Sequence, residues 1–334
     1  MFKFLRRLKS PHPAQAAAAS THQPNELHPE QLLSHLAWKV IRRLDGQLQG
    51  DYRTLFRGSG VELANLREYQ ASDDVRHIDW NVTARMQTPY VRQHQEDREM
   101  TAYFVLDLSG SVGFGSKHIS KRKMAVACVA VLAKILVRRG NPVGALLFSG
   151  GQAKAERVLP ARTGKSHVLQ LMHAIAQFQT PPQTPMTDLR SMLVQAQNHC
   201  KRRSTVFVIS DFISDSGWDT ALGALAHRHE VIAIRLQDPW EKDLPSRGLF
   251  TVQDAETGEQ VLVDANHRGL REAYARLAQA REVSLQKTFE KSHVDCLTLR
   301  TDADLGQALL DFMLRRKKVA RAGATSHHAV AITA

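Results

Sequence analysis

The chain has 334 residues, an apolar fraction of 43% and a formal net charge of +12, enough for two domains or one large α/β domain with extensions. The basic balance suggests nucleic acid or an anionic membrane, but nine charges lie at the ends, on Lys3, Arg6, Arg7, Lys9, Arg315, Arg316, Lys317, Lys318 and Arg321. The body is left with about +3, which argues against specific nucleic-acid binding as the main function. Cys128, Cys200 and Cys296 are far apart and show no CxxC or Cys/His zinc spacing, which argues against zinc or a disulfide framework and fits a reducing cytoplasm.

Residues 1–8 are basic and amphipathic, and no apolar core segment follows, so they do not read as a secretory signal. Residues 10–30 are rich in Pro, Ala, Ser and His, and 1–30 is expected to be a disordered basic tail. Helical periodicity follows over 31–44 through Leu32, Leu33, Leu36, Val40, Ile41 and Leu44. Residues 50–100 mix charge and aromatics with short strand-like pieces such as 90–94, so 31–100 reads as a helix plus a small β-containing lead-in region.

From Thr101 onward, strands alternate with helices. Strands are expected at 104–106, 143–148, 205–209, 231–236 and 293–297. Helices are expected at 120–139, closed by Gly140, and at 166–178, 188–200, 218–227, 265–290 and 303–314. Glu256-Thr257-Gly258-Glu259 separates two short strand patterns, 250–253 and 260–263, as a hairpin. The apolar run 124–137 contains Lys134 and is too short to span a bilayer, so it reads as a buried helix. This alternation implies an α/β, doubly wound, mostly parallel sheet flanked by helices over 101–314, with 315–334 as a basic disordered tail. Ligands bind such sheets at the carboxyl ends of the strands, where the strand order reverses.

Asp107-Leu108-Ser109-Gly110-Ser111 leaves one of those strand ends. A carboxylate and two hydroxyls, spaced two apart, form a compact set of hard oxygen ligands suited to Mg²⁺ or Mn²⁺. Neutral serine ligands leave the ion positive, with a position open to an acidic group. Asp and Ser also serve as turn and capping residues, so the pentapeptide alone leaves both readings open. Thr187, before a helix and after the proline-rich loop 181–185, offers another hydroxyl or a helix cap. Asp211 closes the apolar strand Val206-Phe207-Val208-Ile209 and would share a crevice with Asp107 if their strands are neighbours.

Enzyme motifs fail on inspection. Gly164-Lys165-Ser166 lacks a P-loop, because Leu159 stands where the first glycine belongs. Ser109 and Ser111 lack the flanking glycines of a nucleophile elbow, and Asp107 lacks the second aspartate of a phosphatase-type loop. Ser120-Lys121-Arg122-Lys123 fits S-x-x-K without supporting motifs, and His118 reads as a solvent-exposed histidine rather than a base.

Asp107, Ser109, Ser111, Thr187 and Asp211 resemble, in type and order, the metal site of the von Willebrand factor A fold. The resemblance implies direct ligation by the serine hydroxyls, direct ligation by Thr187 when a ligand is bound, and water-mediated roles for the aspartates. Gly60-Val61-Glu62-Leu63-Ala64-Asn65-Leu66-Arg67-Glu68-Tyr69 and Asp73-Asp74-Val75-Arg76-His77-Ile78-Asp79-Trp80 resemble the domain-of-unknown-function 58 family, as do Asp238-Pro239-Trp240-Glu241 and Asp254-Ala255-Glu256-Thr257-Gly258. Many members carry two N-terminal transmembrane helices not seen in this sequence. The family is bacterial and often associated with MoxR-type AAA+ ATPases, as an adaptor or chaperone partner. The charged stretch 67–98 reads either as a docking surface or as an ion-pair network anchored by Trp80.

The leading expectation is a cytoplasmic, non-enzymatic, metal-dependent protein-binding module that takes an acidic group of a partner, with a MoxR-type ATPase or its client as that partner. The alternative is a metal-dependent hydrolase acting on a phosphate or peptide substrate. The basic tails are also expected to make weak contact with acidic membrane.

Overall fold

Five parallel strands and one antiparallel edge strand form the centre of the molecule. The structure is a computed structural model that describes residues 8–9, 40, 42, 66–70, 73–92, 100–116, 119–150, 155–180, 187–245, 248–254 and 260–330. The elements in chain order are β1 (Leu8–Lys9), β2 (Leu66–Glu68), α1 (Trp80–Met86), β3 (Tyr90–Arg92), β4 (Ala102–Asp107), α2 (Lys121–Arg138), β5 (Val143–Phe148), β6 (Arg157–Arg162) and α3 (Lys165–Ala176). They continue with α4 (Leu189–His199), β7 (Thr205–Ser210), α5 (Trp218–Arg228), β8 (Glu230–Gln237), β9 (Leu249–Asp254), β10 (Gln260–Asp264), α6 (Arg268–Lys291), β11 (Asp295–Arg300) and α7 (Leu305–Val330).

The sheet order is β11-β8-β7-β4-β5-β6. The chain builds outward from β4 to β6, then returns to the other side of β4 with β7. The order therefore reverses between β4 and β7, which pair in parallel with Leu106 opposite Ile209. This is the doubly wound, mostly parallel arrangement expected, and it is consistent with a von Willebrand factor A-like fold.

Successive residues of the central strands enter opposite layers, as the two-residue strand period requires. Phe104, Leu106, Phe207 and Ile209 pack into a layer with α2, α3 and α7, while Val105, Val206 and Val208 pack into a layer with α4, α5 and α6. Burial on both faces explains why these strands read as continuous apolar runs. Helix α2 is apolar nearly all round, as a fully buried helix must be. Strand β6 had no sequence expectation: it carries Arg157, Pro160 and Arg162 and is mostly exposed, as suits an edge strand.

Two boundaries and one side-chain role depart from expectation. Helix α7 does not stop at Leu314, because Arg316 is buried against Phe312 and pairs with Glu230 and Asp295. Leu8–Lys9, inside the expected N-terminal tail, pairs antiparallel with Gln253 and Asp254 of β9. Trp80 is 69% exposed in the first turn of α1, so it does not anchor the charged lead-in. There, Asp79 accepts from the backbone amides of Asn81 and Val82, and Asp74 accepts from that of Arg76. These acids cap short helical turns next to the antiparallel β2–β3 pair.

The hairpin β9–β10 packs Val252 and Val263 with Phe114 and Tyr274. Of the expected helix over 31–44, only Val40 and Arg42 are described, and Val40 packs against the α2–α3–α7 layer. His118, the loop 181–185 and the hairpin tip 255–259 lie outside the described residues.

Candidate metal site

Asp107 is the last residue of β4, and Asp211 directly follows β7, so the strand reversal brings both carboxylates to one end of the sheet. Both are buried, as are Ser109, Ser111 and Thr187. The Asp107 carboxylate folds back on its own loop: Oδ1 accepts from the Ser109 amide at 3.0 Å, and Oδ2 accepts from the Ser210 hydroxyl at 2.7 Å. A 3-10 turn over Gly110–Gly113 then brings the Ser109 and Ser111 hydroxyls within 3.1 Å of each other. Gly115 lets this loop turn tightly into α2, since a Cβ there would lie 2.6 Å from the Ser120 Cα.

On the β7 side, Asp211 Oδ1 accepts from the Ile213 amide at 3.0 Å, and Ser111 donates to the same carboxylate. Phe212 adopts a left-handed backbone (φ 55°), which its packing against Trp218 and Phe289 sustains. The helix cap expected as one option at Thr187 falls instead on Asp188, which accepts from the Ser191 amide at 3.0 Å. The Thr187 carbonyl accepts from the Ser214 hydroxyl at 2.7 Å, tying the Thr187 segment to the loop after Asp211. Direct contacts thus join Asp107, Ser109, Ser111 and Asp211, and Thr187 is tied to the loop that carries Asp211.

The structure adds residues that sequence reasoning missed. Lys121, the first residue of α2, is buried with its Nζ 2.8 Å from Asp211 Oδ2 and 2.5 Å from Glu241 Oε1. Glu241 in turn closes a capping box with Asp238 after β8. The Thr180 hydroxyl donates to the Leu108 carbonyl at 2.7 Å and accepts from Arg122, whose guanidinium also reaches the Phe178 carbonyl. The available signals were the basic start of α2 and the Asp238-Pro239-Trp240-Glu241 stretch, but nothing local connects the two.

The two aspartates are treated oppositely. Burial, and then the charge of Asp211, push the Asp107 carboxyl above the usual range, against the pull of the Ser109 and Ser210 hydrogen bonds. Burial would raise Asp211 as well, but the charge and hydrogen bond of Lys121 outweigh it and hold that carboxyl low. Burial works against the charged form of Lys121, and Asp211 and Glu241 together more than offset it. Asp107 is therefore a buried carboxylate met by neutral donors beside a like charge.

A cation fits that deficit. Adjacent ligands around octahedral Mg²⁺, at about 2.1 Å from the ion, lie about 3 Å apart, which the two serine hydroxyls match at 3.1 Å. Each carboxylate meets three donors on its two oxygens, which together accept about four, so each keeps room for a metal or its water. Among the described residues, no three His, Cys, Asp or Glu side chains cluster as a metal site, so a cation held here would depend on hydroxyl ligands. Beside it, a cleft of about 570 Å³ runs between the loop after β7 and α6, lined by Phe212, Ile213, Trp218, Leu277 and Arg281.

A family model described as "Protein of unknown function DUF58" matches residues 65–284. The chain belongs to this family. The uncharacterized protein Rv1480 of Mycobacterium tuberculosis is 38% identical over 293 residues, covering 87% of this chain and 90% of its own length. The uncharacterized protein Mb1516 of Mycobacterium bovis matches equally. Among solved structures, the conserved hypothetical protein BatB from Bacteroides thetaiotaomicron covers 66% of this chain and 99% of its own, at 16% identity and a TM-score of 0.43. An aerotolerance-related membrane protein from Bacteroides fragilis covers 65% and 99%, with the same identity and TM-score. Among the described residues of this chain, no helix is long and apolar enough to cross a membrane.

Proposed function

We propose that this chain is a metal-dependent protein-binding module of the von Willebrand factor A type. Asp107, Ser109, Ser111 and Thr187 would hold Mg²⁺ or Mn²⁺, with Asp211 behind them. The observation that carries this reading is the buried Asp107 carboxylate, met by neutral donors, beside two hydroxyls at adjacent-ligand spacing. The ion would supply positive charge at an open coordination position, and an Asp or Glu of the partner would take it. The chain's own residues orient the site: Ser210 and the Ser109 amide fix Asp107, while Lys121 and the Ile213 amide fix Asp211.

The family resemblance supports an adaptor or chaperone partner of a MoxR-type AAA+ ATPase, and the cysteine usage supports a cytoplasmic one. Affinity capture with Mg²⁺, with EDTA, and with Asp107→Ala tests the proposal. Capture of the ATPase or its client in Mg²⁺ alone supports it. Undiminished capture after chelation or substitution sinks it, and metal-dependent turnover of phosphoester or peptide substrates would favour the hydrolase instead.

A further inference from the structure

Lys121 has no place in the five-residue site, yet its ammonium sits inside the same end of the sheet. Its side chain is 1% exposed, and two carboxylates from different strand ends close on it. Its backbone is pinned as well, because the Lys121 amide donates to the Phe114 carbonyl at 2.9 Å. Glu241 cannot easily swing away. Its Oε2 accepts from the Asp238 amide at 3.1 Å, and the Asp238 carboxylate is held by the Ser116 amide, the Trp240 amide and the Thr301 hydroxyl. The ammonium is thus clamped on Asp211 Oδ2, while Asp107 faces hydroxyl and amide donors.

We propose that Lys121 is a positioning residue, a fixed internal cation that keeps Asp211 out of direct metal coordination and so leaves the bound metal its charge for a partner's carboxylate. This rests on the metal-binding reading above. The charge balance gives the reason. Asp107, Asp211, Glu241 and Lys121 together carry two negative charges, but with the ammonium shared by Asp211 and Glu241 only Asp107 is left to ligate as a carboxylate, so a divalent ion and its direct ligands keep one positive charge. An incoming carboxylate then neutralises it. With Asp211 free to ligate, two aspartates in direct contact would already balance the ion, and an incoming carboxylate would be attracted more weakly. Lys121 therefore trades affinity for the metal against affinity for the anion.

The test replaces the ammonium and its second partner together, K121M/E241Q, which leaves the charge of the cluster unchanged and frees Asp211. Mn²⁺ affinity is read by electron paramagnetic resonance, and acetate binding to the Mn²⁺-loaded protein by broadening of its methyl proton signal. The expected result is Mn²⁺ binding tighter by about tenfold and acetate binding weaker by a similar factor. A purely structural role would not strengthen Mn²⁺ binding, so unchanged or weaker Mn²⁺ affinity overturns the proposal, as does unchanged acetate binding. If the double variant fails to fold, D211N against D107N decides. Asp211 held off the metal predicts a several-fold loss of Mn²⁺ affinity for D211N and near-complete loss for D107N, and equal losses overturn the proposal. Mn²⁺ binding by K121M/E241Q but not by wild type would sink the adhesion site and the proposal with it, since Lys121 would then exclude the metal itself. Binding by neither protein would sink both.

Discussion

The hydroxyl of Ser210 donates to Asp107 Oδ2 at 2.7 Å, from the last residue of β7 to the last residue of β4. The bond crosses the point where the strand order reverses, and the same hydroxyl oxygen accepts from the Phe212 amide. Ser210→Ala takes one donor from a buried carboxylate and one acceptor from the Phe212 amide. We expect a loss of about 1–3 kcal/mol in denaturant unfolding and weaker Mg²⁺ binding. An unchanged unfolding midpoint would show that the bond contributes nothing.

Asp107 should make the metal-free protein less stable at neutral pH than its amide variant. Its folded pKa is raised above the ordinary value of 3.8, so the folded state binds its proton more tightly. No stability is lost below the ordinary carboxylate range, and the cost grows as pH rises through the folded pKa. Asp107→Asn should therefore raise the melting temperature without metal at pH 7, and the gain should vanish as pH falls below about 4. Mg²⁺ should stabilise wild type and not the variant. A variant less stable than metal-free wild type at pH 7 contradicts the burial argument.

The cysteines give a second pH dependence. Burial pushes the Cys128 and Cys200 thiols up to about 12 and Cys296 to about 11. All three should resist alkylation at pH 8 in the folded protein and react once it is unfolded. Because the folded values are raised, this contribution is fully present below the ordinary thiol value of 9.0 and is lost as pH rises through 11 to 12. Rapid alkylation of native Cys128 would contradict its burial in α2.

Arg316 should be structural although it lies in a run of basic residues. Arg316→Ala takes the cation from Glu230, whose side chain is 11% exposed and keeps the Thr205 hydroxyl, and we expect a loss of about 2–3 kcal/mol, less than for a fully buried pair because Asp295 is partly solvated. Arg315→Ala, at an exposed neighbour, should change stability by less than about 0.5 kcal/mol. Equal effects in urea unfolding would assign Arg316 to the surface.

Trp80 supplies the opposite case. Because it is 69% exposed, Trp80→Ala should shift the unfolding free energy by no more than about 0.5 kcal/mol. Its fluorescence should be quenched readily by acrylamide in the folded protein. A large destabilisation would restore the anchoring role that its large apolar side chain suggested.

Most of the sheet was legible because its strands are buried on both faces. Val206-Phe207-Val208-Ile209 is an unbroken apolar run, and such runs in alternation with long helices admit few other architectures. Strand β6 was illegible for the converse reason: an exposed edge strand with Pro160 has no apolar period to detect. The end of α7 was misplaced because Arg316 resembles its solvated neighbours, and only Glu230 and Asp295 show that it is buried.

The sequence by itself determined that Asp107, Ser109, Ser111 and Asp211 stand at strand ends, because periodicity and turn chemistry act over a few residues. It left open whether Thr187 was a helix cap, which the tertiary structure settled by showing Asp188 in that role. Only the tertiary structure decided that β4 and β7 are neighbours, which makes two separate strand ends one site. It alone revealed the Lys121 ammonium between Asp211 and Glu241, partners 90 and 120 residues away. Strand propensity is local, whereas burial of a charge is settled by whichever groups the whole fold brings to meet it.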